Sequence, residues 1–247
     1  MRQFGLAITI LAATGFGAFA ADPDPKAVIE RAVKAHGGLE ALKKYPGGEY
    51  KVEGDAVIVG EKAKLASTIS YALPDKFRMT VETTILEKKS LLVVVVNGDK
   101  VKAMTNSKTE DLKDNVKAEF RQLASVQEVS LLYPLLDADK YTLKAEKNER
   151  IDAKEVEVVL VTRKGMKDIK MYFEKETGRL VRFVHKMPSP LGGEVDHEVT
   201  QSEFKEFSGV LYPTVQKIKQ QGKDYMTLKF TDVKLIDKPD LKAYAVD

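Results

Sequence analysis

Apolar side chains recur at every second position over most of the chain, and at a period near 3.6 in three stretches. Tyr50, Val52, Gly54, Ala56 and Ile58 alternate with Lys51, Glu53 and Asp55, the pattern of a strand with one buried face. Similar runs at 65–73, 76–86, 90–96 and 100–105, and then at 141–150, 155–163, 168–174, 180–186, 194–207, 210–220 and 225–236, predict eleven to twelve strands. Turn signals such as Asn97-Gly98, Lys164-Gly165, Thr177-Gly178, Ser208-Gly209 and Gln221-Gly222 separate them. Connections this short imply antiparallel pairing, because parallel neighbours need about a dozen linking residues. The run Leu91-Leu92-Val93-Val94-Val95-Val96 breaks the alternation, which predicts a strand covered on both faces.

The helical periods fall at 25–36, 39–44 and 109–136. Asp24 is placed to cap the first helix, with Pro25 at its first position, and Gly37-Gly38 ends it. Leu112, Val116, Phe120 and Leu123, followed by Val129, Leu132 and Leu136, predict a longer helix that Pro134 disturbs near its end. A large antiparallel sheet curls, and these helices are the elements available to fill its concave side. The expected fold class is therefore mainly β with helices (α+β): a curled antiparallel half-barrel of roughly eleven to twelve strands, its concave face covered by helices.

Residues 1–20 carry one charge, Arg2, then an uncharged apolar stretch closing on Ala18-Phe19-Ala20. The stretch is short of the ~20 residues that span a bilayer and is diluted by glycine and threonine, so it reads as a secretory signal peptide cleaved after Ala20. No Cys follows it, which excludes a Cys-linked lipid anchor. Residues 21–247 are expected to form a single domain, since a chain of that size buries about 70 to 75% of its unfolded surface in one core, and a periplasmic location is expected.

Composition narrows the functional classes. Lys and Arg number 40 against 37 Asp and Glu, a formal charge of +3; losing Arg2 leaves 39 against 37, or +2. Nothing in that balance builds the one-signed field that nucleic-acid binding needs. There is no Cys, so thiol chemistry is excluded and an exported chain must be held by packing and sheet hydrogen bonds. Three His are present, His36, His185 and His197. His36 suits a helix C-terminus, where an imidazolium meets the dipole favourably. His185 and His197 pair across neighbouring strands, but Asp196 and Glu198 point away from His197 on a strand, and no metal-ligand spacing is present. Ser189 and Ser208 lack a nucleophile elbow, and the glycine pairs at 37, 47 and 192 read as turns rather than phosphate loops. No catalysis and no cofactor is expected. Lys217, Lys219 and Lys223 read as charges that protect a sheet edge.

The order of several segments resembles the LolA/LolB-like superfamily of exported lipoprotein-sorting and hydrophobic-ligand carriers. The opening helix from Ala27 to Leu39 leads directly into the strands. Leu73-Pro74-Asp75-Lys76-Phe77-Arg78-Met79 enters a central strand, and Asn97-Gly98-Asp99-Lys100 precedes the long helix. Tyr172-Phe173-Glu174-Lys175-Glu176-Thr177-Gly178-Arg179-Leu180 and Phe204-Lys205-Glu206-Phe207-Ser208-Gly209-Val210-Leu211-Tyr212-Pro213 follow. The resemblance implies a carrier whose concave apolar face takes acyl chains of a lipoprotein or lipid under a helical lid, with membrane-bound donor and acceptor proteins as partners, and a monomer. It also implies a basic residue just before the strand-opening Pro as a lid latch; Leu73 stands there instead, with Lys76 and Arg78 the nearest bases, and Trp is absent.

The candidate ligand-binding residues are Val52, Ile58, Ile69, Tyr71, Phe77, Met79, Leu92, Val94, Met171, Phe173 and Phe183 on strands. Phe120, Leu131, Leu132 and Leu135 join them from the lid segment, with Leu112, Val116 and Leu123 on the same helical face. An ordinary dry core has the same composition, so the alternative is a non-catalytic envelope scaffold whose half-barrel is fully packed. What favours a cleft is that a sheet this wide has more concave surface than short helices fill.

Overall fold

The computed structural model describes residues 24–58, 60–188 and 193–246; the leader expected at 1–20, Ser189 and Gly192 lie outside the described residues. Two helices open the fold, α1 (Pro25–Ala35) and α2 (Leu39–Lys44). The Asp24 carboxylate accepts from the Lys26 amide at 3.1 Å, Pro25 occupies the first turn, and Val28, Ile29, Ala32 and Val33 form the buried stripe. Gly37, at φ +118°, ends α1. A β-carbon there would sit 2.2 Å from the Gly209 carbonyl oxygen, so glycine alone lets the helix end meet the sheet.

Six strands follow: β1 (Gly47–Ile58), β2 (Glu61–Ala72), β3 (Lys76–Ile85), β4 (Lys88–Asn97), β5 (Lys100–Thr105) and β6 (Lys108–Thr109). Helix α3 (Asp114–Ser130) and a 3-10 turn (Tyr133–Leu136) then lead to β7 (Thr142–Ile151), β8 (Lys154–Arg163), β9 (Met166–Glu174), β10 (Leu180–Pro188), β11 (Glu194–Phe207), β12 (Val210–Gln220) and β13 (Lys223–Ile236). Every strand run expected from the alternation is present, and the thirteenth strand is the two-residue β6, too short to show a period. The helix expected over 109–136 is broken, since Thr109 belongs to β6 and Leu132, at φ 65°, separates α3 from the 3-10 turn that carries Pro134.

All thirteen strands form one antiparallel sheet in the order β6-β5-β4-β3-β2-β1-β13-β12-β11-β10-β9-β8-β7. It is curled and not closed. The first and last strands are neighbours at its middle, with Val52 opposite Phe230 and Ala56 opposite Met226. Its free edges, β6 and β7, are consecutive in the chain, so the segment joining them has to cross the sheet. Lys217, Lys219 and Lys223 are therefore not on an edge: β12 and β13 are paired on both sides, because β13 turns back to meet β1. The exposed edge at β7 instead carries Lys144, Lys147, Glu149 and Arg150.

Two apolar clusters fill the concave side. One packs α1, α2, the 3-10 turn and the last turns of α3, through Val126 and Val129, on β8 to β11, centred on Ile29, Leu132, Ile169, Met171 and Phe173. The other packs α3 on β1 to β5 and β13, around Tyr50, Tyr71, Phe77, Val94 and Phe230. The double coverage expected of β4 holds for its second half only: Val94 and Val96 face α3, whereas Leu91 is exposed. The cover on the outer face is a C-terminal 3-10 turn (Leu241–Tyr244), whose Tyr244 packs on Val95 and Ala72. Asn97 Nδ2 donates to the Tyr244 carbonyl at 3.2 Å. Among the described residues no helix is long and apolar enough to cross a membrane.

The middle pairing is tight at Gly54, where a β-carbon would fall 2.2 Å from the Thr227 carbonyl oxygen on β13. Gly54→Ala is expected to destabilise the fold by about 1–3 kcal/mol, as overpacking against backbone does, read as a lowered midpoint in urea unfolding. An unchanged midpoint would show that β1 and β13 do not depend on this approach.

Candidate functional site

Helix α3 lies across the concave face, touching β4 and β5 on one side and β9 on the other. Between it and the sheet is a cavity of about 160 Å³. Its floor comes from alternate positions of strands that the β1–β13 pairing brings side by side: Val52, Ile69, Phe77, Met79, Leu228 and Phe230. Leu123, Val126, Gln127 and Ser130 from α3, and Leu131 and Leu132 after it, form the roof. Among the described residues that line it, none is Lys, Arg, Asp or Glu.

Of the candidate residues named from the sequence, Val52, Ile69, Phe77, Met79, Leu131, Leu132 and Phe183 line this cavity, as does Leu123. Tyr71, Leu92, Val94 and Phe120 belong to the cluster under α3 without reaching the cavity wall, and Leu112 packs there too. Leu135, Met171 and Phe173 lie in the other cluster, beneath the N-terminal helices. Ile58 is half-buried at the end of β1 and in neither cluster, and Val116 is half-buried on α3.

The polar lining escaped the periodicity. Tyr50 OH donates to Gln127 Oε1 at 2.6 Å, and the Tyr50 ring packs on Phe230 and Tyr212, with centroids 5.2 and 6.0 Å away. Burial raises the phenol pKa of Tyr50 well above its usual value, and that of Tyr212 in the same direction. Both hydroxyls stay protonated. Gln201 and Gln216, opposite each other on β11 and β12, line the cavity as well. Tyr50 opens the alternating run of β1 and was findable by parity; a lone glutamine on an amphipathic helix carries no such signal.

No protein-family model and no curated protein matches the sequence, but solved structures match the fold. A DUF1329 family protein from Desulfovibrio piger superposes with a TM-score of 0.56 at 11% identity, over 90% of this chain and 98% of that one. A LolA superfamily protein from Nitrosomonas europaea gives 0.56 at 14% identity, over 90% and 97%. A putative outer membrane lipoprotein-sorting protein domain from Vibrio parahaemolyticus gives 0.54 at 8% identity, over 89% and 95%. The fold is LolA-like.

Both long sides of α3 on this LolA-like sheet pack apolar residues, and one side adds a polar network. Toward β1 to β5 the contacts are apolar, through Leu112, Phe120, Leu123 and Ala124. Toward β8 and β9, Val126 and Val129 pack in the apolar cluster of those strands and polar contacts are added to them. Gln122 donates to the Lys167 carbonyl at 3.1 Å and accepts from its amide at 2.8 Å, while Lys167 Nζ reaches Glu119 at 2.6 Å. Buried Glu128 pairs with Lys140 and, at 2.8 Å, with Arg163, which also donates to Ser125 Oγ at 2.7 Å. The latch that the family resemblance placed before the strand-opening Pro thus stands on the opposite half of the sheet. Leu73 packs in the apolar cluster, Lys76 pairs with Asp75, and Arg78 donates to the Ala243 carbonyl.

His36 is not the imidazolium expected at a helix end. Its Nδ1 donates to the Leu211 carbonyl at 3.0 Å, and its Nε2 accepts from the Leu180 amide at 3.2 Å. That pair of bonds needs a neutral ring, and burial lowers its pKa from 6.5 to about 4. His185 and His197 are directly opposed on β10 and β11, with ring centroids 5.8 Å apart. Burial, then His197, lowers the His185 pKa to about 4. Asp196 bonds Lys186 at 2.8 Å and Glu198 faces Arg182 at 3.6 Å. Among the described residues no three His, Asp or Glu are grouped to hold a metal.

Because the unfolded chain binds a proton at His36 below its ordinary pKa and the folded chain only near the lowered one, stability is complete above about pH 6.5 and falls as pH drops toward 4. His185 acts in the same direction. His36→Gln, which can keep both bonds without titrating, is expected to lose about 2 kcal/mol less than the parent between pH 7.5 and 5. Urea midpoints at the two pH values check this; parallel losses would mean that His36 does not titrate as argued.

Proposed function

We propose that the chain is an exported, non-catalytic carrier that shields the acyl chains of a lipoprotein or lipid under α3, and that residues 1–20 direct it to the periplasm. The observation that supports this reading is the uncharged apolar cavity between the lid and the sheet. Each buried CH₂ is worth about 0.8 kcal/mol, so an acyl chain binds such a surface with no polar chemistry. The name of the Vibrio parahaemolyticus structure makes an acylated lipoprotein the first cargo to test.

Size decides what the closed form holds. Ligand pockets usually enclose about 300–1,000 Å³, and a cavity near 150 Å³ holds benzene. At about 160 Å³ this one takes a short length of chain, and longer cargo requires α3 to move. The side of the lid toward β1 to β5 is the side that gives way, because acyl CH₂ groups replace its contacts one for one. The same small volume also favours the packed-scaffold reading, so cargo content is the discriminating measurement.

Native mass spectrometry of the protein purified from its own cell envelope is expected to show an N-terminus at Ala21 and an added acyl-bearing mass that organic extraction releases. A ligand-free mass, together with no displacement of an anthroyloxy-stearate probe, would leave only the scaffold. Glu128→Gln, which weakens the latch to Lys140 and Arg163, is expected to speed uptake of that probe several-fold in stopped-flow fluorescence. Unchanged uptake would show that the lid does not gate entry.

A further inference from the structure

A second cleft, of about 390 Å³, opens beside α3 between the β4–β5 turn and the β8–β9 turn. Its walls carry Arg121, Lys140, Arg163 and Lys164, against Asp75, Asp99 and Glu128. Buried Glu128 is shared by Lys140 and Arg163, and Asp75 pairs with Lys76 at 2.9 Å. Arg121 donates to the Asp99 backbone carbonyl at 3.1 Å, and among the described residues neither Arg121 nor Lys164 has a carboxylate partner. Counting Lys76, five cations meet three carboxylates, an excess of +2 in one cleft of a chain whose formal total is +3. A concave site of net positive charge concentrates anions, and Arg121 with Lys164 supplies the planar fork and the point charge that phosphate oxygens take.

The cleft and the apolar cavity share one helix. Leu123, Val126 and Gln127 roof the cavity, while Ala124, Ser125 and Glu128 line the cleft. On the sheet, Phe77 in the cavity wall is directly opposite Val96 in the cleft wall. The two sites are therefore neighbours that one lipid reaches with its chain and its headgroup. A fatty-acid carboxylate is joined directly to its chain and has no linker to carry it round the helix. We propose that the cleft binds the phosphate of an anionic lipid whose acyl chain enters under α3, so that the protein selects phosphodiester headgroups of net negative charge over zwitterionic ones. The inference rests on the carrier reading and adds to it the class of headgroup. Arg121 and Lys164 bind the phosphate; no bond is made or broken.

Isothermal titration calorimetry of the whole protein at low ionic strength, with the chain-free probes glycerophosphoglycerol, glycerophosphocholine and acetate, reads the cleft alone. Glycerophosphoglycerol is expected to bind about fivefold more tightly than either of the others and to weaken as salt is added. Arg121→Gln combined with Lys164→Gln is expected to weaken it about tenfold, the worth of one charge-assisted hydrogen bond, at an unchanged urea midpoint. Incubated with vesicles and repurified, the parent protein is expected to carry several-fold more phosphatidylglycerol than phosphatidylcholine. Equal binding of the three probes, an affinity for glycerophosphoglycerol that survives in the double variant, or equal uptake of the two lipids would overturn the assignment and leave the carrier reading in place. Selective probe binding without uptake of either lipid would overturn the carrier reading, and with it the lipid as the source of the phosphate, leaving a free phosphodiester as the ligand. Neither probe binding nor lipid uptake would overturn both.

Discussion

The pairing of β1 with β13 at the middle of the sheet is the constraint on which the rest of the molecule depends. Each strand must satisfy its backbone N–H and C=O groups, and β1 does so against β2 on one side and the last strand of the chain on the other. Once the two ends of the chain meet at the centre, the free edges become β6 and β7, which are adjacent in sequence. The connection between them must span the sheet, and α3 takes it across the curled face, where its apolar residues are buried. The lid is thus a consequence of the topology, not an addition to it.

That origin explains why the two halves of the sheet treat α3 differently. The first half, β1 to β5, presents apolar alternate positions to it, and contacts of that kind are non-directional and easily exchanged. The second half packs Val126 and Val129 in its own apolar cluster and adds polar contacts at the turn between β8 and β9, where Arg163 and Lys167 approach Gln122, Ser125 and Glu128 at fixed geometry. Charge-assisted hydrogen bonds that bury a carboxylate hold one arrangement and penalise partial ones. The position of α3 is therefore fixed by directional contacts on the β8–β9 side, and the volume beneath it is set by how closely the apolar contacts toward β1 to β5 pack. Gln127 lies on the same helix, one residue before the buried Glu128, so the polar end of the cavity is placed by the latch that holds the lid.

The outer face follows the same logic of coverage. A run of valines in β4 has no polar face to offer water, and Tyr244 from the C-terminal turn covers Val95 while α3 covers Val94 and Val96. Leu91, at the far end of the run, lies beyond both covers and is exposed. Burial along one strand thus changes within six residues according to what two distant segments reach.

Periodicity is a local property, and what depends on it was legible in the chain: twelve of the thirteen strands, the helices at the N-terminus, the half-barrel class, and the apolar character of Val52, Ile69, Phe77 and Met79, whose parity puts them on one face. Partner identity is not local. That β13 returns to β1, and so places Lys217 and Lys219 mid-sheet, follows from a register between segments far apart in sequence. A glutamine on a helix, a histidine at a helix end and an arginine at a turn read alike whether solvated or buried. Only the fold settled that Gln127 meets Tyr50, that His36 is a neutral bridge between Leu180 and Leu211, and that Arg163 holds the lid, because the cost of burying a polar group is set by which partner the tertiary structure brings to it.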